Sequence, residues 1–244
     1  LYRGRTAGWS VKRFWELVGF GVIGGVFSIL AYLPFYISFS SQAGGVIPSL
    51  AFFTKGKYFW IMFGPCLLPI FGFLISKTKR ISKPAWINGL WVAASALLLL
   101  FVFGWALGLL GTRLEMTKNL LLGLQGATSA GQLLLQSLIN RLKAPGTWIT
   151  LFLLIWMGVS LLFEKVHVHQ TEEMDEVVDV HPQTSSPKSL PFVLLMVLLG
   201  AVLTLVPEFI YLRDQFGWRM NTIFKFYFQA WILWSLAGSY ALVT

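Results

Sequence analysis

The chain of 244 residues is 56% hydrophobic and only 12% charged, with a mean hydropathy of +0.70. No water-soluble fold can hide that much apolar surface, so the composition excludes soluble classes and indicates an integral membrane protein. Its 19 Lys and Arg against 10 Asp and Glu give a formal net charge of +9, which in such a chain indicates loops facing anionic membrane lipid rather than a nucleic-acid surface.

About 20 helical residues cross a bilayer, and six apolar runs approach or reach that length, at 14–37, 58–76, 86–110, 147–163, 191–212 and 222–243. Backbone groups in lipid must be satisfied within their own segment, and the alternation of a barrel strand is absent. The expected fold is therefore all-α: a polytopic transmembrane bundle of about six spans, forming one domain over 1–244. The first run holds Gly21, Gly24 and Gly25 and ends in LPFYISFSSQAGG, where Pro34 indicates a kink or exit. Ser38, Ser40, Ser41 and Gln42 there form a polar strip, either an interfacial loop or the mouth of a cavity. Gly21 with Gly25, and Gly104 with Gly108, have a spacing that permits close helix approach. Pro65 and Pro69 predict a bent or broken second span. Cys66 is the single cysteine, so the chain forms no internal disulfide.

Lys77, Lys79, Arg80 and Lys83 crowd the next loop without an acid, a cytoplasmic signature shared by Arg3, Arg5, Lys12 and Arg13. With six spans, that places the polar strip and the stretch 207–231 together on the outer side. Segment 111–146 is too polar to span. Within it, Leu134, Leu135, Leu138, Ile139 and Leu142 recur at helical spacing against Gln132, Gln136, Asn140, Arg141 and Lys143, predicting an amphipathic helix in the outer interface. Segment 164–190 is acidic and ends in HPQTSSP, the composition of a mobile loop or insertion. His167, His169 and His181 there define no closed ligand set, so no metal site is expected. The opening on Leu1 without an initiator Met, and the stop at Thr244 ending an apolar run, read as a fragment of a longer polypeptide. Its expected partners are membrane lipids and the rest of that polypeptide or other membrane subunits.

The chemistry concentrates in 207–231, PEFIYLRDQFGWRMNTIFKFYFQAW, where Glu208, Arg213, Asp214, Arg219 and Lys225 lie between two apolar runs. Charge at such a boundary is costly and marks function. Asn221 is a good N-cap for a helix over 222–243. Lys225 lies in its first turns, where a cation is disfavoured unless an anion is near, and Arg219 lies just outside. Asn221, Lys225 and Gln229 share one face at i, i+4 and i+8; Tyr227, Trp231 and Trp234 share another that packs on lipid or helices. A lipid phosphate or diphosphate is the natural ligand. Glu208 and Asp214 then either coordinate a divalent cation, the one cofactor suggested, or orient Arg213 and Arg219. The competing reading is an interfacial loop in which Arg213 pairs with Asp214 or Glu208 and the other cations snorkel to headgroups.

EFIYLRDQFGWRMNTIFKFYFQAW, with LPFYISFSSQAGG upstream, resembles the Chlor_Arch_YYY family of large membrane proteins. Glu208, Phe209, Arg213, Asp214, Arg219, Asn221, Thr222, Lys225, Tyr227, Gln229 and Trp231 carry the match, which spans most of this chain in order. That family is similar to the GT-C glycosyltransferases, which take sugar from a lipid-phosphate carrier at the outer face of the cell membrane. The resemblance implies a transferase that binds a lipid-phosphate-linked sugar through Arg213, Arg219, Asn221, Lys225 and Gln229, with Glu208 and Asp214 as catalytic candidates. In GT-C enzymes the acidic base lies in the first outer loop. The loop after Ile37 here has no acid, so that element belongs to a preceding part of the polypeptide or catalysis is absent. Two other functions fit the same residues: a non-catalytic scaffold or accessory subunit binding anionic lipid, and a transporter of an anionic solute lined by the second and last spans.

Overall fold

A computed structural model describes residues 11–38, 44–79, 81–172, 189–213 and 218–243. The chain divides into two compact units, Leu1–Gln42 and Ala43–Thr244. The first contains one helix, α1 (Val11–Ser38), which runs through Pro34 for a further turn instead of ending there. Pro34 removes the N–H that would bond the Leu30 carbonyl, and the helix closes one turn later.

In the second unit, β1 (Val46–Pro48) precedes α2 (Gly56–Thr78) and α3 (Lys83–Arg113). Two shorter helices follow, α4 (Glu115–Gln125) and α5 (Ala130–Lys143), then α6 (Gly146–Glu172) and α7 (Leu190–Leu205). A 3₁₀ turn at Val206–Glu208 leads into β2 (Ile210–Leu212) and α8 (Met220–Val243). Contacts of α2 with α8, α8 with α7, α7 with α6 and α6 with α2 close a four-helix ring, and α3 packs on its α6 side.

Apolar residues at helical spacing fill the ring. Phe59, Phe63, Leu67, Ile70 and Leu74 of α2 meet Tyr227, Ala230, Trp234 and Ala237 of α8, with Leu151 and Leu154 of α6 and Leu194, Val197 and Ala201 of α7. Small residues set the closest approaches. A methyl on Gly200 would stand 2.3 Å from Trp234 Nε1, and one on Gly89 would overlap the Ser160 hydroxyl. The α2 helix is continuous through Pro65 and Pro69 rather than broken. Gly238 of α8 lies close to the Cys66 carbonyl and the Pro69 ring, so tight packing supports the segment where two N–H donors are missing.

Among the described residues, five helices are long and apolar enough to cross a membrane: Phe14–Phe35, Gly56–Thr78, Lys83–Arg113, Gly146–Glu164 and Leu190–Glu208. The sixth expected span, α8, is not among them, although it is integral to the ring. The fifth run does not stay helical to Leu212. It leaves the α-helix after Leu205 and passes into the 3₁₀ turn Val206–Glu208, with Pro207 at its middle.

One end of the ring carries a small cap. Antiparallel pairing of β1 with β2 sets Val46 opposite Leu212, Ile47 opposite Tyr211 and Pro48 opposite Ile210. Gly44 donates to the Arg213 carbonyl at 2.8 Å, and Arg213 donates to the Gly45 carbonyl at 2.9 Å, so the end of the SFSSQAGG strip does meet the 207–231 stretch. Ile47, Leu50, Leu121, Leu133 and Tyr211 form a second apolar cluster beneath α4 and α5. Gly104 and Gly108 make room for this cap, contacting Phe209 and Leu50. Gly108 also admits Leu134 of α5, so their spacing serves both the 48–51 turn and a second helix.

Candidate functional site

At the capped end, Glu208 is completely enclosed at the last residue of the 3₁₀ turn. Its carboxylate accepts from the Thr54 amide at 2.9 Å, the Thr54 hydroxyl at 2.6 Å, Arg219 Nη1 at 3.0 Å and the Tyr227 hydroxyl at 3.3 Å. Arg219, 8% exposed, also donates from Nη1 to the Pro207 carbonyl at 3.1 Å and from Nη2 to Thr54 Oγ1 at 3.2 Å. The Thr54 carbonyl accepts from Thr147 Oγ1 at 2.7 Å. This knot joins the segments entering α2, α6 and α8 to the exit of α7, and Glu208–Arg219 is the only salt bridge among the described residues. A buried ion pair survives where its remaining donors and acceptors are satisfied, as they are here.

A second arginine lies behind the first. Arg141 of α5 is 6% exposed and donates from Nη2 to the Ser49 carbonyl at 2.6 Å and the Glu208 carbonyl at 2.9 Å. Its Nη1 bonds the Ser137 hydroxyl, while its Nε has no hydrogen-bond partner among the described residues. The guanidinium lies 5.9 Å from the Phe101 ring centroid and 6.0 Å from that of Phe209. Burial lowers Arg141 from the ordinary arginine range to about 10, against the opposing pull of the Glu208 charge, so it remains a cation at neutral pH. Gln125 of α4 clasps the same region: its Oε1 accepts from the Leu50 and Ala51 amides at 2.9 and 2.8 Å, and its Nε2 donates to the Pro48 carbonyl at 2.8 Å.

The residues singled out by sequence divide into two environments. Glu208 and Arg219 come together in the knot, which resolves the pairing of Glu208 in favour of Arg219 rather than Arg213. Both Glu208 oxygens are engaged and its nearest charge is an arginine, an arrangement that does not fit a divalent-cation site. Arg213 is half-buried, with its side chain against Gly44. On α8, Asn221 is half-buried while Lys225 and Gln229 are exposed, flanked by the stacked pair Phe224 and Phe228. The helix starts at Met220, one residue before the expected cap, and Arg219 supplies the carbonyl that receives the Ile223 amide at 2.9 Å. Of the expected aromatic face, Tyr227 and Trp234 are buried and Trp231 is 47% exposed. Asp214, residues 39–43 of the polar strip, Arg80, and 173–188 of the acidic loop with His181 lie outside the described residues. Among the described residues, no group of three His, Cys, Asp or Glu could hold a metal ion.

Sequence reasoning missed Thr54, Thr147 and Gln125, assigned Tyr227 to a packing face and placed Arg141 on a solvated one. Arg141 turns inward because Leu133, Ser137 and Arg141 recur every four residues, and that stripe of α5 faces the protein. The stripe is visible in the sequence. Thr54, between two lysines and two phenylalanines, carries no comparable signal.

The family model described as "Uncharacterized membrane protein (DUF2298)" matches residues 3–234. No curated protein and no solved structure matches the chain. The chain belongs to the DUF2298 family and is a multi-pass membrane protein.

Proposed function

We propose that this DUF2298 chain is the carrier-binding part of a GT-C-like glycosyltransferase in the cell membrane, holding the phosphate of a lipid-linked sugar at the outer face. The observation that carries this reading is the charge imbalance at the capped end. Its one buried acid is consumed by Arg219, while Arg213 and Lys225 have no carboxylate partner among the described residues. Lys225 is exposed in the second turn of α8, beside Asn221 and Gln229, where an anion offsets both its charge and the positive helix terminus.

In this reading Lys225 and Arg213 meet the phosphate, and Asn221 and Gln229 supply hydrogen bonds. Arg219 acts through Glu208 by fixing the start of α8. An acid deprotonates the acceptor hydroxyl, which attacks the anomeric carbon as cations stabilise the departing lipid phosphate. Glu208 is closed inside the knot, so that acid is Asp214 or comes from the rest of the polypeptide or a partner subunit. The same closure favours the second reading, an accessory subunit that binds anionic lipid without catalysis.

The test uses the full-length polypeptide in lipid nanodiscs with a polyprenyl-phosphate hexose as probe. Lys225→Ala and Arg213→Ala should each weaken binding about tenfold, the scale of one charge-assisted contact, with Lys225→Arg retaining most of it. Unchanged affinity in both alanine variants sinks the phosphate assignment. Equal competition by phosphatidylglycerol, with no sugar transferred to any acceptor, replaces the enzyme with the accessory subunit.

A further inference from the structure

The α5 helix has three faces rather than two. Leu133, Ser137 and Arg141, at i, i+4 and i+8, are buried against the protein. Leu135, Leu138 and Leu142, at i, i+3 and i+7, form an apolar stripe 58%, 37% and 69% exposed. Gln132, Gln136 and Lys143 are exposed on the remaining sector, between the leucine stripe and the buried face. A helix at a simple protein–water boundary has no use for the leucine stripe, and one surrounded by lipid has no use for the glutamines.

The position of α5 says what covers the leucines. Leu134 packs where Gly108 leaves room, against the last turns of α3, so α5 lies level with the end of a span. Arg141 and Gln125 tie α5 and α4 to the 48–51 turn, fixing the helix's rotation about its own axis. At that level α3 itself leaves apolar side chains open, with Trp105 39% and Leu110 63% exposed. Lys143 closes the helix on its polar side, where its ammonium can reach headgroup phosphates.

We propose that α5 lies at the meeting line of protein, lipid and water, with Leu135, Leu138 and Leu142 docked in the headgroup–acyl boundary of the surrounding membrane. The buried face anchors the helix, the leucines enter lipid, and Gln132 and Gln136 remain in water. The Glu208–Arg219 knot, which Arg141 touches, then lies at headgroup depth. This assignment stands independently of the glycosyltransferase reading.

Cys66 is the single cysteine of these 244 residues, so Cys66→Ser, combined with replacement of any cysteine elsewhere in the polypeptide, provides a background for nitroxide labels at single introduced cysteines. The full-length protein is reconstituted in vesicles of phosphatidylcholine and phosphatidylglycerol. Power saturation is then measured with oxygen, which partitions into lipid, and with a water-soluble nickel complex. Labels at Leu135→Cys, Leu138→Cys and Leu142→Cys should be oxygen-accessible and nickel-protected, at depths of roughly 5–10 Å into the boundary. Labels at Gln132→Cys and Gln136→Cys should show the reverse. All five positions are exposed, Gln132→Cys alone removing a side-chain acceptor of the Thr128 amide and hydroxyl at the start of α5, and circular dichroism of each variant checks that the helix is kept. Nickel access at the leucine positions overturns the proposal in favour of a water-facing helix. Protection from both reagents overturns it in favour of another protein surface, such as a second copy of the chain.

Discussion

Removing either partner of the Glu208–Arg219 pair should destabilise the protein unequally, and the structure sets the order. Arg219→Ala leaves the Glu208 carboxylate with the Thr54 amide, the Thr54 hydroxyl and the Tyr227 hydroxyl as donors. That loss belongs at the lower end of the range for breaking a buried pair, about 3 kcal/mol. Glu208→Ala leaves Arg219 with only the Pro207 carbonyl and Thr54 Oγ1, and leaves the nearby Arg141 cation without a compensating acid. That loss belongs at the upper end, about 5 kcal/mol. For a chain of this size each kcal/mol moves Tm by about 2–4 °C, so the two variants should melt roughly 6–12 °C and 10–20 °C lower. Thermal unfolding can be followed in nanodiscs by the reaction of half-buried Cys66 with a thiol-specific dye. The Glu208→Gln and Arg219→Gln double variant should be less destabilised than the sum of its singles by about 1–3 kcal/mol. Additive effects, or an Arg219→Ala loss larger than that of Glu208→Ala, would refute the claim that the pair is one electrostatic unit serving both arginines.

Three further substitutions probe the packing and the cap. Gly200→Ala should cost about 1–3 kcal/mol by driving a methyl into the Trp234 indole, whose Nε1 donates to the Val197 carbonyl at 3.0 Å, and Trp234→Phe should recover part of that loss in a melting assay. Gly56→Ala faces the backbone of Gly146, with its Cβ 2.8 Å from the Gly146 Cα, so a similar or larger loss should resist rescue by any side-chain truncation. Arg141→Lys keeps the charge but gives up the planar fork whose Nη2 reaches the Ser49 and Glu208 carbonyls while Nη1 reaches the Ser137 hydroxyl, and about 1–3 kcal/mol of stability should go with it, read as a lower Tm.

The helical bundle was legible because lipid imposes a strong rule: long apolar runs become helices, and their lengths count the spans. The limits of that rule appear at 206–212 and in α8. The residues Ile210, Tyr211 and Leu212 are as apolar as those before them, and only the pairing with Val46–Pro48, distant in sequence, makes them a strand. The start of α8 was found within one residue because Asn221 and Arg219 mark a polar-to-apolar switch. What the site does with its charges was less accessible. Glu208, Arg219 and Lys225 look alike as boundary charges in the sequence, yet two are enclosed and one is exposed. The difference arises from Thr54 and Tyr227, which reach Glu208 from elements 154 and 19 residues away.

That enclosure changes where chemistry can occur. A fully enclosed carboxylate held by a threonine hydroxyl, a backbone amide, a tyrosine and an arginine is out of reach of an acceptor, so Glu208 cannot take a proton from one without dismantling the knot. The same bonds give it a different use. They pin the end of α7 to the start of α8, while the Leu212 amide donates to Thr222 Oγ1 at 3.0 Å and the Arg213 amide to the Gly45 carbonyl at 2.9 Å. The connection that contains Asp214 is therefore held on its near side at Leu212 and Arg213 and on its far side at Arg219. Positioning by such a frame is what a group meeting a lipid phosphate needs, because a misplacement of about 1 Å can cost roughly a hundredfold in rate. Glu208 and Arg219 thus contribute through the placement of α8, and under the proposed carrier-binding function recognition would fall to the cations outside the knot, Arg213 and Lys225.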